Sequence, residues 1–577
     1  MIEDREHRTL RRSERGSALA VDPGSELVWR SGLTALVLIA FALRGWKGEL
    51  TQVIARDGVA YLEQARALAE GRWSAGLGGY YPPLFPALTA PLLAILNPEA
   101  AGRLVSALAG ALAVIPLARI ARRSFDASAG LLAAAALAVL PRAIILGGEV
   151  LSDSLFLLMI LIAADLTELT IRSADERQEQ IEPDERRGSP LPAAIGAGLA
   201  AGGAALTRPE GLILPALLAI IVAARGQGGS ARLPSGRLWL AALLVLGVGL
   251  SVFAIRPLAL RSETGAWRLT RKAGVALGGY ARLAAEERRH VPVLHRQLSA
   301  ERQARQEQRP AEDDLGAAPR LLIEAPGLVF TKLARDGGAL LLRLPVVVHP
   351  LLLLIALAAL GDPERRARLG RHSLAVIAVA QSLIVVLAAA SVEKRYLLPV
   401  AAWTSLATGV ALADWLRGVT RDPLEASSST RLAAWFHALR PTGRLALCLV
   451  IGLLVAAPAL RSERTSRLGV RALAATLAES SKPGEGVVAL SPRVAFYAER
   501  RALALPFCAS AGELTEFQRR RGAPWLVLRE GRQGPRLPWL GPRFEPGRAD
   551  LERGWRRVAR VDDLELWRLK PAEGEGR

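Results

Sequence analysis

The chain has 577 residues, 51% of them hydrophobic, and a mean hydropathy of +0.25. It is longer than one ordinary globular domain and too apolar for several water-soluble ones, so a polytopic membrane protein is the leading class. The formal charge of +20 would suit nucleic acid. However, the arginines fall in short clusters between apolar runs, which is the positive-inside pattern rather than a continuous basic groove, and nucleic acid is discounted.

The N-terminus, "MIEDREHRTLRRSERG", places basic residues before an apolar segment without a small-residue cleavage site. It reads as a cytoplasmic tail (1–26) leading into an uncleaved first membrane helix. Apolar runs long enough to cross ~30 Å of hydrocarbon number about eleven: 27–44, 101–120, 128–146, 153–170, 191–206, 210–225, 237–257, 344–361, 372–391, 396–416 and 444–460. With the N-terminus inside, the clusters Arg119/Arg122/Arg123, Arg225/Arg232/Arg237, Arg365/Arg366/Arg368/Arg371 and Arg417/Arg421/Arg431/Arg440/Arg444 all land inside. Outer loops are then expected at 45–100, 147–153 and 258–343, and everything from 461 on lies outside.

The stretch "PPLFPALTAPLLAIL" (82–96) is apolar but short and carries four prolines, so it reads as interfacial or re-entrant. Residues 171–190 read as a charged cytoplasmic linker and 281–313 as a charge-rich helical stretch of the large outer loop. The tail changes character: "GEGVVALSPRVAFYAERRALALP", "APWLVLRE" and "DDLELWRL" read as short β-runs bounded by Gly, Pro and Asp. The expected architecture is therefore an α-helical membrane domain (27–460) followed by a small extracytoplasmic α/β domain (461–577). Cys448 sits in an apolar run and Cys508 in the polar tail, so neither a disulfide nor a cysteine metal site is expected.

In "DGVAYLEQARALAEG" Tyr61, Ala65, Leu68 and Ala69 share a helical face and Gly71 ends the run, the pattern of an amphipathic helix on the membrane surface. Asp57, at its start, has a plain reading as a helix cap. The topology puts Glu149 and Asp153 of "GGEVLSDSLF" on the same side, and acids gathered at a membrane surface are costly unless they have a function. Capping is the plain reading of Asp153. "TRPEG" brings Arg208 and Glu210 to that side, where they could form an ion pair at a Pro-started helix; "SVEKRYLLPV" adds Glu393, Lys394, Arg395 and Tyr396. The Arg395 fork suits a phosphate, and snorkelling to headgroups is its plain alternative. His290, His295 and His349 lack ligand spacing for zinc, and no nucleotide-binding or Ser/His/Asp arrangement is present.

The ordered set "DGVAYLEQARALAEG", "YYPPLFP", "GRLVSALAGALAVIPLARIARRSF", "GEVLSDSLF", "LTRPEG", "EKRYLLP" and "RVAFYAERRALALP" resembles the glycosyltransferase C (GT-C) superfamily. The likeness is to its bacterial branch, which is similar to protein O-mannosyltransferases and the lipid A aminoarabinose transferase. The resemblance implies a GT-C-like membrane domain and transfer of a sugar from a polyprenyl-phosphate carrier to an acceptor on the outer face, with inversion. It implies a catalytic role for Asp57, a second acid in Asp153, and a phosphate-binding role for Arg395. The aminoarabinose branch has a charged pair before the double proline, whereas Tyr80 and Tyr81 stand here, so aminoarabinose specificity and that branch's metal site are not expected.

On this reading Asp57 is the general base, Glu149 and Asp153 orient the acceptor, Arg395 and Arg208 meet the donor phosphate, and Tyr61, Tyr80, Tyr81, Tyr396 and Glu210 contact substrate. No metal ligands are assigned, and a divalent cation is left open as the only cofactor. The partners expected are the lipid-linked donor, a protein, lipid or glycan acceptor, and membrane lipid, in a bacterial-type plasma membrane. The rival readings are a multispan transporter or lipid flippase and a non-catalytic membrane scaffold.

Overall fold

The computed structural model describes residues 23–178, 189–225, 236–265, 267–271, 280–281, 283–287, 317–388, 392–417, 441–461, 468–530, 536–540 and 547–571. Helix α1 (Pro23–Leu50) is followed by three short helices, α2 (Arg56–Ala69), α3 (Trp73–Leu77) and α4 (Leu84–Thr89). Next come α5 (Pro98–Leu112), α6 (Val114–Ser124), α7 (Ala127–Val139), α8 (Pro141–Gly147), α9 (Asp153–Gln178), α10 (Pro190–Ala205), α11 (Leu214–Arg225) and α12 (Gly236–Thr264). After them run α13 (Ala317–Glu324), α14 (Pro326–Val348), α15 (Pro350–Leu360), α16 (Pro363–Arg371), α17 (Ser373–Ala388), α18 (Leu398–Arg417) and α19 (Pro441–Ala456).

Among the described residues six helices are long and apolar enough to cross a membrane, or nine if each of three bent pairs is one span. The chain is thus a multi-pass membrane protein, with fewer full-length spans than the apolar runs suggest. Helix α10, at 16 residues, and α11, at 12, are short for a ~30 Å core. The run expected at 344–361 is not one segment. Helices α14 and α15 meet at 106°, where His349 adopts φ 74° ahead of Pro350 and its ring nitrogen accepts the Leu351 N–H at 3.4 Å. Residues 84–94 form an apolar helical segment of about 16 Å, too short to span, as the four prolines imply.

Helix α1 continues to Leu50, past the expected loop start at 45, because its polar end finds buried partners. Arg44 donates to Ala40 O at 2.8 Å, Ala138 O at 3.3 Å and Leu137 O at 3.5 Å. Helices α7 and α8 meet at 60°, and Pro141 has no N–H to offer Leu137 O. The buried guanidinium satisfies carbonyls that the break would otherwise orphan.

Ion pairs locate the two ends of the bundle. Arg119 and Arg123 pair with Asp165, Arg122 with Glu26, Arg225 with Glu168, Arg417 with Asp126 and Arg365 with Asp414. These Arg-bearing connections gather at one end. Residues 51–97, the 148–152 turn, Arg208, Arg395 and the start of the C-terminal region gather at the other. Expected features at 1–22, 179–188, 226–235 and 418–440 lie outside the described residues, as do His290, His295 and most of the 281–313 stretch. Residues 171–178, expected in a linker, continue α9.

The C-terminal region begins with α20 (Leu468–Ser480) and builds a five-stranded sheet in the order β2-β1-β3-β5-β4. Strand β1 (Gly486–Ala489) pairs parallel with β2 (Arg501–Ala504) and β3 (Trp525–Arg529). Strands β4 (Trp555–Val561) and β5 (Leu564–Leu569) form an antiparallel hairpin against β3. Helix α21 (Arg493–Tyr497) lies between β1 and β2, so "RVAFY" is helical rather than part of a β-run. One sheet face buries Val487, Val527 and Leu566 against α20; the other buries Leu526, Trp555 and Trp567 against Leu514 of α22 (Ala511–Arg520) and Leu551 of α23 (Arg548–Gly554).

Helices α18 and α7 approach so closely that a Cβ on Gly409 would sit 2.4 Å from Ala133 N and 2.7 Å from Ala129 O. Both obstacles are backbone, so Gly409→Ala is expected to destabilise the protein by about 1–3 kcal/mol. Gly247→Ala, whose new methyl meets open space, is expected to be neutral; thermal melts in detergent compare the two.

Candidate functional site

The site forms where α2 packs on the turn between α8 and α9. Gly58 makes this approach feasible, because a Cβ there would lie 2.9 Å from Val150 O. Helix α2 is buried along Val59, Tyr61, Leu62, Ala65 and Leu68, so it lies in the protein with only one narrow face open. Ala69, expected on the apolar face, is exposed.

Asp57 does not cap α2. The N-cap position is Ala55, with no side-chain cap, and the Ala55 N–H is bound instead by Glu149 Oε2 at 3.0 Å. The Asp57 carboxylate accepts from Arg395 Nη1 at 2.9 Å and from the Tyr81 hydroxyl. Burial, reinforced by the Asp57 charge, pushes the Tyr81 phenol well above the ordinary tyrosine range, so it keeps its proton and donates. Tyr61, raised mainly by burial, keeps its proton as well, and its hydroxyl lies 2.7 Å from Ser152 Oγ.

Asp153 opens α9 and is 2% exposed. Its Oδ1 accepts from Arg208 Nη1 at 2.6 Å, while its Oδ2 has no hydrogen-bond donor among the described residues and lies 3.9 Å from Arg395 Nη1. Arg208 also reaches Glu210 at 2.6 Å, so the ion pair expected within "TRPEG" is present and extended to Asp153. Arg395 points into this cluster rather than out to headgroups. Its Nε lies 2.9 Å from Glu393 Oε2, without the alignment of a hydrogen bond, and is buried.

Tyr396 packs under both cations, 5.1 Å from the Arg208 guanidinium and 5.8 Å from that of Arg395. The Tyr61 and Tyr81 rings are 4.5 Å apart, Tyr61 and Phe85 5.1 Å, and Tyr80 and Tyr81 5.0 Å. All ten residues singled out from the sequence therefore belong to one constellation, in which Glu149 acts on the backbone before Asp57 and Tyr80 sits at its exposed rim.

Two participants were not singled out, and a third, Glu393, was placed at the outer surface with Arg395 but given no role. Glu393 stands two residues from Arg395. Arg142, at the start of α8, is acted on by the charges of Asp153, Arg395, Glu393 and Glu149; an arginine inside the apolar run 128–146 was the available signal. Tyr497 accepts the Ile54 N–H at 2.9 Å, and no sequence signal ties it to a segment so distant. The acids do not fit a divalent cation. Asp57 and Asp153 are each bound by a guanidinium, and among the described residues no group of three or more His, Cys, Asp or Glu side chains could hold a metal ion.

Residues 81–254 match the family described as dolichyl-phosphate-mannose-protein mannosyltransferase. That span holds Tyr81, Glu149, Asp153, Arg208 and Glu210, and stops short of Asp57 and Arg395. ArnT from Cupriavidus metallidurans bound to undecaprenyl phosphate has a TM-score of 0.53 at 14% identity, covering 92% of this chain and 97% of its own. Its apo state gives 0.53 at 15% identity, with 95% and 98% covered. AglB from Archaeoglobus fulgidus, in complex with an inhibitory peptide and a dolichol-phosphate, gives 0.52 at 15% identity, with 88% of this chain and 70% of that chain covered. The fold is that of the GT-C membrane glycosyltransferases. No curated protein matches the sequence at a significant level.

Within this GT-C fold the Asp153–Arg208 pair is nearly free of water, so removing one partner leaves the other charge uncompensated. Arg208→Met is expected to cost about 3–5 kcal/mol, and adding Asp153→Asn to recover much of that loss. Thermal melts of the two single variants and the double variant in detergent measure the coupling.

Proposed function

We propose that this protein transfers a sugar from a polyprenyl-phosphate carrier to an acceptor hydroxyl, with inversion, at the extracytoplasmic end of its helix bundle. One observation carries the reading: a carboxylate and an arginine meet at 2.9 Å, beside a buried acceptor, Asp153 Oδ2, and a buried donor, Arg395 Nε, that lack hydrogen-bond partners among the described residues. Buried groups of that kind call for a partner, which a ligand or a water can supply. The mannosyltransferase-family match supports a sugar donor. The lipid phosphates bound by ArnT and AglB support a polyprenyl-phosphate carrier.

In the proposed step the acceptor hydroxyl gives its proton to Asp57 as its oxygen attacks the anomeric carbon. The bond from that carbon to the phosphate oxygen breaks on the opposite face, and its electron pair leaves with the lipid phosphate. Arg395 exchanges Asp57 for the phosphate and stabilises the growing charge; Arg208 holds Asp153, whose free oxygen orients a substrate hydroxyl. Glu149 fixes the entry to α2, while Tyr61, Tyr80, Tyr81, Tyr396 and Glu210 line the approach.

The Arg-rich end is assigned to the cytoplasm by the positive-inside rule, which puts the N-terminus inside and the region from 461 outside a bacterial-type plasma membrane. The domain division at about 460 belongs to the same reading.

The test is turnover of synthetic polyprenyl-phosphate hexoses by the full chain in detergent. Asp57→Asn is expected to lower turnover by at least about 100-fold with only a small drop in the melt, because Glu393 and Asp153 still face Arg395. Equal turnover in a well-folded Asp57→Asn protein would remove Asp57 as the base.

A further inference from the structure

The segment that delivers Asp57 is a short strap, residues 51–55, between α1 and α2. Its polar backbone groups are held by side chains from distant parts of the chain. Arg103 of α5 binds Thr51 O. Arg471 of α20 donates to Gln52 O at 2.5 Å, and Tyr497 of α21 accepts the Ile54 N–H at 2.9 Å across 443 residues of sequence. Glu149 then takes the Ala55 N–H.

The hold is also apolar. Val53 is fully buried, not among the membrane helices but in the core of the C-terminal sheet, with Val470, Leu473, Val494 and Ala495. Arg471 ties the elements together, since its guanidinium lies 4.4 Å over the Tyr497 ring and 3.1 Å from Glu99, the partner of Arg103. Three consecutive strap residues, Gln52, Val53 and Ile54, are thus gripped by the C-terminal region, three to five positions before the carboxylate assigned as the base.

We propose that the C-terminal α/β region, residues 468–571, is a clamp that sets the position of Asp57, with Tyr497 and Arg471 as positioning residues acting through the strap. This rests on Asp57 being the base. The chemical reason is the steep dependence of proton transfer on geometry. A shift of about 1 Å in a reacting group costs roughly 100-fold in rate, so a strap free to move by a fraction of that lowers turnover without changing how tightly the donor binds.

Tyr497→Phe removes the acceptor of the Ile54 N–H and keeps the ring. In the full chain in detergent it is expected to lower kcat roughly three- to tenfold, to leave KM for a polyprenyl-phosphate hexose within about twofold, and to speed amide exchange in the peptide covering residues 51–60. Leu551→Ala, which weakens the far side of the same sheet, controls for simple destabilisation and is expected to lower the melt while leaving kcat per folded molecule unchanged. Faster exchange with unchanged kcat, or unchanged exchange, would overturn the clamp while leaving the base assignment to Asp57→Asn. Full turnover in Asp57→Asn would instead remove the base assignment and the clamp's target with it.

Discussion

A carboxylate beside hydrocarbon stays ionised only when a cation is held against it, and this requirement organises the end of the bundle that carries the site. Asp153 is almost wholly buried, and Asp57 sits on a helix otherwise packed into the protein. Neither arginine that neutralises them comes from the same helix as its acid: Arg208 follows α10 and Arg395 precedes α18. The charge pairs therefore join four parts of the chain, and bringing them together requires the intervening helices to pack in one arrangement. Tyr396, lying against both guanidinium groups, fills the space that water would otherwise take.

The rest of that end of the bundle can be understood as support for these pairs. Gly58 lets α2 close on the 149–151 turn, Glu149 fixes the first amide of α2, and Gln64 holds the loop before the double proline through Tyr81 N, Tyr81 O and Gly76 O. Below it, Arg44 spans the break between α7 and α8, the bent pair that leads into the 148–152 turn. A polar side chain in the bundle interior here serves the backbone rather than a substrate, and carbonyls freed at a proline are its reason for being there.

Much of this was legible in the sequence because membrane burial leaves a strong one-dimensional signal. Apolar run length located the helices, and the parity of the arginine clusters put Asp57, Asp153, Arg208 and Arg395 at the same end before any distance was known. What could not be read depends on three-dimensional closure. The 106° turn at His349 was hidden inside an unbroken apolar run. Strand β4 was missed because "WRRVARV" places exposed arginines where an alternating apolar face would be sought. The capping reading of Asp57 was locally sound, and it failed because the helix starts one residue earlier, at Arg56, and the carboxylate is taken by an arginine 338 residues away.

The resting electrostatics carry a further consequence. Arg395 is drawn to Asp57, Glu393 and Asp153 at once, and the Asp57 carboxylate accepts from both Arg395 and the Tyr81 hydroxyl. The acid–arginine pairing that makes these carboxylates tolerable at a membrane surface thereby also fixes where they stand, so one constraint accounts for both the charge balance and the geometry of the site.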